Sequence, residues 1–264
     1  MAHLPRPDRA AGVFETILVV DGVPVELDAH LRRLRASVGE LFGVEPPPAA
    51  REALLAEAAP LSLGRVRLTV LPRPEGALAV EAVAGPVDPD DVFPAWDRAA
   101  AMAPFVVRGG LGPHKWADRA ALERISASAG GRLPLVVDAG AEVLEAARAN
   151  VFAVEGDAFV TPPLDGRILA GVARARVLAA AGALGVHVRE EALPLKRLLA
   201  GDGAFLTGSL RGVEPVRSVG EAELAPTGDA VADVAAAVRR AWIGERSRAR
   251  RAGTFAAGQA TGPL

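Results

Sequence analysis

The chain has 264 residues, half of them apolar, which is enough for a substantial core in one or two domains. With no Cys there is no disulfide, thiolate-bound zinc or thiol nucleophile, and the four His (His3, His30, His114, His187) lack the i, i+4 pairing of a metal site. A net charge of -2 gives no field for nucleic acid or an anionic membrane, no apolar run approaches a bilayer span, and the start shows no secretory signal. The expectation is a cytoplasmic protein that acts on a small molecule.

Asp21-Gly22 is the strongest short turn signal, so residues 14–20 and 23–27 read as a β-hairpin. A helix follows, with Asp28 as its cap, Leu31, Leu34, Val38 and Leu41 on one face, and Gly43 as its stop. A second helix is predicted over 49–58, then strands over 65–70 and 77–83 with alternating character. Together these make a small antiparallel α+β unit.

The Pro- and Asp-rich stretch 85–96 has no periodicity and reads as a linker. Beyond it come a strand over 98–107, a flexible glycine-rich connection over 108–113, and a helix over 117–129. Four short strands follow as a meander, over 133–137, 143–146, 150–154 and 158–161. A helix is predicted from Gly171 to about residue 181, then a strand over 186–189, a short helix over 195–199, and strands over 204–207 and 213–219. The last helix, 229–243, carries Val231, Val234, Val238 and Trp242 on one stripe. Four regions result: a flexible N-terminus (1–10), a small α+β domain (11–92), a larger domain (93–243) and a disordered Arg-rich tail (244–264).

Chemistry narrows quickly, because among side chains only Lys115 and Lys196 can supply a neutral primary amine; Arg stays protonated. Lys115 follows three glycines and a proline and precedes Trp116, a setting for a desolvated, reactive amine; the alternative is an exposed Lys at a helix start. Glu145 lies among Leu144, Ala146 and Ala147, where a carboxylate needs a partner such as a protonated pyridine nitrogen; the alternative is a strand residue facing water. The helix start at Gly171, Val172 and Ala173 presents free amides that suit a phosphate, and Thr207 and Ser209 could add hydroxyls. Each alone is an ordinary helix start or turn. Their joint presence with a Lys and a Glu says more.

The stretch with Glu145, Ala147, Asn150-Val151-Phe152, Phe159, Thr161, Leu169, Gly171-Val172 and Arg174 resembles the signature of the class-IV pyridoxal-phosphate aminotransferases, the fold-type IV family. That family includes branched-chain and D-amino-acid aminotransferases and 4-amino-4-deoxychorismate lyases. The likeness extends from Phe14 to about Ile243. It implies a two-domain fold similar to D-amino-acid aminotransferase, with a small antiparallel α+β domain and a larger pseudo-barrel domain of mixed α/β character. It also implies pyridoxal 5'-phosphate as cofactor and a homodimer.

By the same resemblance, Arg33, in His30-Leu-Arg-Arg33-Leu34, is the phosphate-binding arginine. Lys115 is the Schiff-base lysine, Glu145 the ring-nitrogen partner, and Val172, Ala173 and Ser209 the remaining phosphate contacts, with Gly171 and Thr207 added to the cofactor site from the helix start and strand end read above. The segments from Lys115 to Arg119 and from Thr207 to Gly212 look most like the lyases, which release 4-aminobenzoate and pyruvate for folate synthesis. Arg211 is then a substrate-carboxylate clamp and Arg108 a second candidate for substrate binding; no metal is implied. A D-amino-acid or branched-chain transaminase and a cofactor-free, non-catalytic relative are the other readings. The chain departs from the family in having no Tyr, in Ala173 where many members have Thr, and in Gly208 where lyases often carry Asn.

Overall fold

The computed structural model describes residues 7–244; residues 1–6 and 245–264, where a flexible start and a disordered tail are expected, lie outside the described residues. The first unit grows from β1 (Val13–Val20), which turns at Asp21 and Gly22 (φ 51° and 77°) into the two-residue strand β2 (Val23–Pro24). Positive φ at both central residues is what a tight hairpin requires, and Asp-Gly adopts it with little strain. Helix α1 (Leu27–Phe42) begins one residue after Glu26, which sits in the left-handed region at φ 53°. Asp28 is therefore not the cap. It lies in the first turn and pairs with Arg51 at 2.9 Å, on α2 (Ala49–Ala58).

Strands β3 (Leu63–Pro72) and β4 (Leu78–Gly85) complete an antiparallel sheet of order β2-β1-β3-β4. Val13, Ile17, Val19, Val66, Leu68 and Val70 bury one face against Leu34, Val38 and Leu54 of the two helices. Each such side chain contributes about 2 kcal/mol by leaving water. The opposite face carries Phe14, Thr16, Arg65 and Arg67, and it turns toward the second unit.

That unit contains β5 (Ala100–Val106), α3 (Ala120–Ser128), β6 (Leu133–Val137), β7 (Glu142–Ala146), β8 (Ala149–Glu155), β9 (Ala158–Thr161) and α4 (Val172–Ala183). It continues with β10 (His187–Glu190), β11 (Leu193–Pro194), α5 (Leu195–Ala200), β12 (Gly203–Gly208), β13 (Gly212–Val219), β14 (Ala222–Glu223) and α6 (Asp229–Arg239). The strand order is β10-β9-β8-β12-β13-β5-β6-β7-β11, and β7 also pairs with β8, closing six strands into a barrel. Met102, Leu135, Val151, Leu206 and Val216 fill the barrel. Outside it, Phe152 stacks on Phe205 with centroids 4.8 Å apart, Phe159 meets Phe205 edge-on, and α4 and α6 cover the trio with Val177, Val234 and Val238.

The stretch expected to be a linker is anchored. Phe93, at φ 54°, packs edge-on against Trp242 at 5.5 Å and lies so close over Gly212 that a Cβ there would come within 2.5 Å of the ring. The strand expected from residue 98 starts at Ala100, after a short 3-10 turn, Trp96–Arg98. Helix α3 begins three residues later than its periodicity suggests, where Asp118 accepts from the Ala120 amide at 3.0 Å. Glu26 accepts from Arg176 Nε at 2.6 Å and Trp242 Nε1 at 3.2 Å, tying the small sheet unit to α4 and the end of the described chain.

Candidate active site

Between the two units lies a cavity of about 510 Å3, lined by Phe14, Arg33, Arg67, Lys115, Arg119, Glu145, Gly171 to Ala173, Thr207, Ser209 and Arg211, among others. Lys115 reaches it because its backbone extends the small sheet. The Phe14 amide donates to the Lys115 carbonyl at 2.9 Å, Ala117 N donates to Gly12 O at 2.9 Å, and Trp116 bridges Val13. Strand alternation sends Trp116 into the helix-covered core and Lys115 to the other face, where Nζ is 4.8 Å from the Phe14 ring centroid.

The preceding loop is less free than its glycines imply. Gly112 N donates to Arg167 O at 3.1 Å, and a Cβ on Gly110 would meet that carbonyl at 2.1 Å, so close docking against residues 165–168 demands glycine. Burial pushes the Lys115 amine down to about 8, Arg33 and Arg119 push the same way, and Glu15 and Glu145 oppose them.

Glu145 owes its direction to a β-bulge. Val136 pairs with Glu145 but Val137 pairs with Val143, so Leu144 is an extra residue in β7. Val143 and Ala146 both point into the barrel; uninterrupted alternation from Val143 would have sent Glu145 inside with them. Instead it faces the cavity, 5% exposed, and accepts from the Leu169 amide at 3.3 Å. Burial pushes its carboxyl up to about 8 against the Leu169 hydrogen bond and the charges of Lys115, Arg119 and Arg33.

Directly across β8 and β12, Glu145 pairs with Asn150 and Asn150 with Thr207, so the three form one lateral row on the barrel's outer face. Asn150 Nδ2 donates to Leu169 O at 2.9 Å, and its Oδ1 would be 1.9 Å from a Cβ on Gly171, so residue 171 packs there only as glycine. The first α4 bond runs from Ala175 N to Gly171 O, leaving the amides of Val172 and Ala173 without helical partners. Thr207 is 2% exposed and its Oγ1 has no hydrogen-bond partner. Arg174 instead turns away into the structure, bonding Pro162 O at 3.0 Å and Glu190 at 2.7 Å.

Arg33 lines the cavity through a support that sequence reading missed. It donates from Nε and Nη2 to the two Glu15 oxygens at 2.8 and 2.6 Å, and from Nη1 to Ala170 O at 2.8 Å. His30 Nδ1 shares Glu15 Oε2 at 2.7 Å. Burial would raise the Glu15 carboxyl, yet the Arg33 charge and these hydrogen bonds hold it at about 2. A carboxylate inside the apolar run of β1 was the signal that could have revealed it.

The two expected substrate residues part company. Arg211 lines the cavity, ion-paired to Asp91 and Glu214, whereas Arg108 is exposed and lies outside the lining. Three other cations surround Phe14: Arg67 Cζ lies 3.7 Å from its ring centroid, Lys115 Nζ 4.8 Å and Arg119 Cζ 5.9 Å. Among the described residues Arg65, Arg67 and Arg119 have no carboxylate in ion-pair contact, although Glu123 acts on Arg67 and Arg119, and Glu145 on Arg119, at longer range; Arg119 donates only to Ala147 O, at 2.8 Å. The other lysine, Lys196, is exposed on α5, away from the cavity.

A small antiparallel sheet beside a closed barrel, with an amine and a carboxylate on one cavity, defines a class. The family description "Amino-transferase class IV" matches residues 12–219, and the chain belongs to that family. Over 87 residues it is 37% identical to the mitochondrial branched-chain-amino-acid aminotransferase 1 of Arabidopsis thaliana, which is 33% of this chain and 23% of that protein. The match thus spans less than a quarter of that relative's length. A hypothetical aminotransferase from Mycobacterium tuberculosis, in an alpha-ketoglutarate and PMP bound form, superposes with a TM-score of 0.80 at 24% identity over 90% of both chains. The 4-amino-4-deoxychorismate lyase of Pseudomonas aeruginosa gives 0.71 at 26% identity over 90% of this chain and 95% of that one. No helix among the described residues is long and apolar enough to cross a membrane.

Proposed function

We propose that this chain is a pyridoxal-phosphate-dependent lyase converting 4-amino-4-deoxychorismate to 4-aminobenzoate and pyruvate. The cofactor is pyridoxal 5'-phosphate, and the residues present fit it. The unpartnered, buried Thr207 hydroxyl, the free amides of Val172 and Ala173, and Ser209 form an anion cradle completed by Arg33. Ala173 brings only its amide. Glu145 holds the charge of a protonated ring nitrogen, and Lys115 is the amine. When bound, the cofactor supplies an electron sink for charge developing on the substrate.

The chain's own groups then divide the work. Lys115 Nζ, kept easily deprotonated by burial, takes the proton from the substrate ring carbon that bears the amino group. Glu145 keeps the sink polarised. The C–O bond to the enolpyruvyl group breaks as the ring becomes aromatic, its electron pair leaving on the enolpyruvate oxygen, and the enolpyruvate takes a proton at its methylene carbon, matching the one Lys115 accepted, to become pyruvate. Arg65, Arg67, Arg119 and Arg211 orient the carboxylates.

The observation that carries this reading over a branched-chain transaminase is that cationic wall around Phe14. Guanidinium groups with no carboxylate in ion-pair contact suit a substrate with two carboxylates better than an aliphatic side chain. Transamination of a D-amino or branched-chain amino acid is the second reading, favoured by the Arabidopsis relative. Purified holoenzyme given aminodeoxychorismate should release 4-aminobenzoate; amino transfer to 2-oxoglutarate or pyruvate with no 4-aminobenzoate would replace the lyase with the transaminase. A cofactor absorption band that disappears in Lys115→Ala separates both from a non-catalytic relative. We take the active form to be a homodimer, which light scattering would test.

A further inference from the structure

Arg211, on the loop between β12 and β13, already holds two carboxylates, and the two are unlike. Glu214 Oε1 lies 2.9 Å from Arg211 Nε, is buried, and is gripped from the other side by Arg148 at 2.8 and 2.9 Å. It cannot leave without abandoning a charge in the interior. Asp91 pairs with Arg211 Nη1 at 2.5 Å but is 39% exposed, belongs to the connection between the units, and lines the same cavity. Its Oδ1 is also 3.2 Å from Arg98 Nη1. Asp91 can therefore release Arg211 and keep a cation.

Two further observations make the exchange local. Arg211 Nε is buried with no acceptor in hydrogen-bond geometry, so the two acids leave the guanidinium unsaturated. Phe93 N donates to Arg211 O at 3.1 Å and the Phe93 ring covers Gly212, so the connection stays docked while one side chain swings.

We propose that Asp91 is a specificity-determining residue. Its carboxylate occupies the substrate-carboxylate position on Arg211 in the free enzyme, and it passes to Arg98 when the carboxylate of a substrate takes its place. This rests on the reading above that the substrate carries carboxylates. Binding is then an exchange of one anion for another, so the site gains no net charge at that point. A ligand offering a single weak carboxylate competes poorly with the resident one, which favours substrates anchored elsewhere and speeds departure of a monocarboxylate product.

Benzoate and its uncharged counterpart benzamide, titrated calorimetrically into the holoenzyme, test this. Asp91→Asn should tighten benzoate about two- to five-fold and leave benzamide unchanged, the scale of a partly exposed ion pair. Asp91→Glu should keep the parent affinity. In an Arg211→Gln background the Asp91→Asn gain should vanish. An unchanged or weakened benzoate affinity in an Asp91→Asn protein with the parent Tm overturns the proposal. So does a gain that survives in the Arg211→Gln background, or failure of benzoate to bind both parent and Asp91→Asn. Because no turnover is involved, loss of the lyase reading alone would show as benzoate exchange without 4-aminobenzoate production.

Discussion

Arg33 holds Glu15 by two nitrogens, at 2.8 and 2.6 Å, and gives its third to the Ala170 carbonyl, just ahead of the α4 amides. The small sheet thus places the Arg33 guanidinium beside the start of α4 in the other unit. Glu15→Gln leaves Arg33 and His30 facing a neutral amide. A buried pair broken on one side costs about 3 kcal/mol, and the carboxyl's fall from 4.5 to about 2 implies a similar figure. Since the folded-state value is the lower one, this contribution is fully present above about pH 4.5 and fades as pH drops toward 2. Urea midpoints of parent and variant should differ clearly at pH 6 and converge on acidification; a gap constant with pH would argue against the network.

Lys115 should react as an amine at unusually low pH. Its neutral fraction rises through about 8, whereas a free lysine titrates near 10.4. Reductive methylation of protein stripped of cofactor, followed by mass spectrometry of the Lys115 peptide, should give a rate that climbs through about pH 8 and levels off. A rate still climbing beyond pH 10 would show an ordinary, solvated amine. Lys115→Ala should lower kcat by at least about a thousandfold.

Glu145 shifts in the opposite sense. Its folded-state carboxyl, raised to about 8, favours the folded chain most below about pH 4.5, and that advantage is lost as pH climbs through 8. Without cofactor, Glu145→Gln should therefore gain stability relative to the parent as pH climbs from about 5 to 8, by up to about 1.4 kcal/mol per pH unit, and gain no more above that. With cofactor the order reverses, because the amide cannot hold a ring-nitrogen charge, and kcat should fall at least about a hundredfold. Thermal melts of both proteins with and without cofactor read the reversal.

Gly171→Ala tests the cradle. The added Cβ would sit 1.9 Å from Asn150 Oδ1, forcing Asn150 off Leu169 O. A stability loss of about 1–2 kcal/mol and a cofactor affinity about tenfold weaker are expected, read by Tm and cofactor titration. Unchanged affinity would mean that the α4 amides do not carry the phosphate.

Local chemistry made much of this legible. Asp21-Gly22 admits little but a hairpin, Gly43 ends α1 at φ 74°, and a lone Lys after three glycines marks itself by residue type. What stayed hidden depends on pairings between distant segments. That Glu15 would meet His30 and Arg33 requires β1 to lie on α1. That Arg211 would be held by Asp91 depends on how the connection folds back onto the loop before β13. The turn of Glu145 toward the cavity depends on one extra residue in β7, which alternation alone cannot show. Asp28 looked like a cap because capping is read from residue type, whereas the chain enters α1 through a left-handed Glu26.

The lateral row of Glu145, Asn150 and Thr207 has one more implication. Its spacing is ruled by main-chain ladders between β7, β8 and β12 and not by the fit of side chains inside the barrel. The lumen residues can then drift, through substitutions that keep their volume, while the ruler on the outside keeps its marks. A scaffold of that kind permits its interior to be re-engineered for heat resistance without retuning the chemistry it carries.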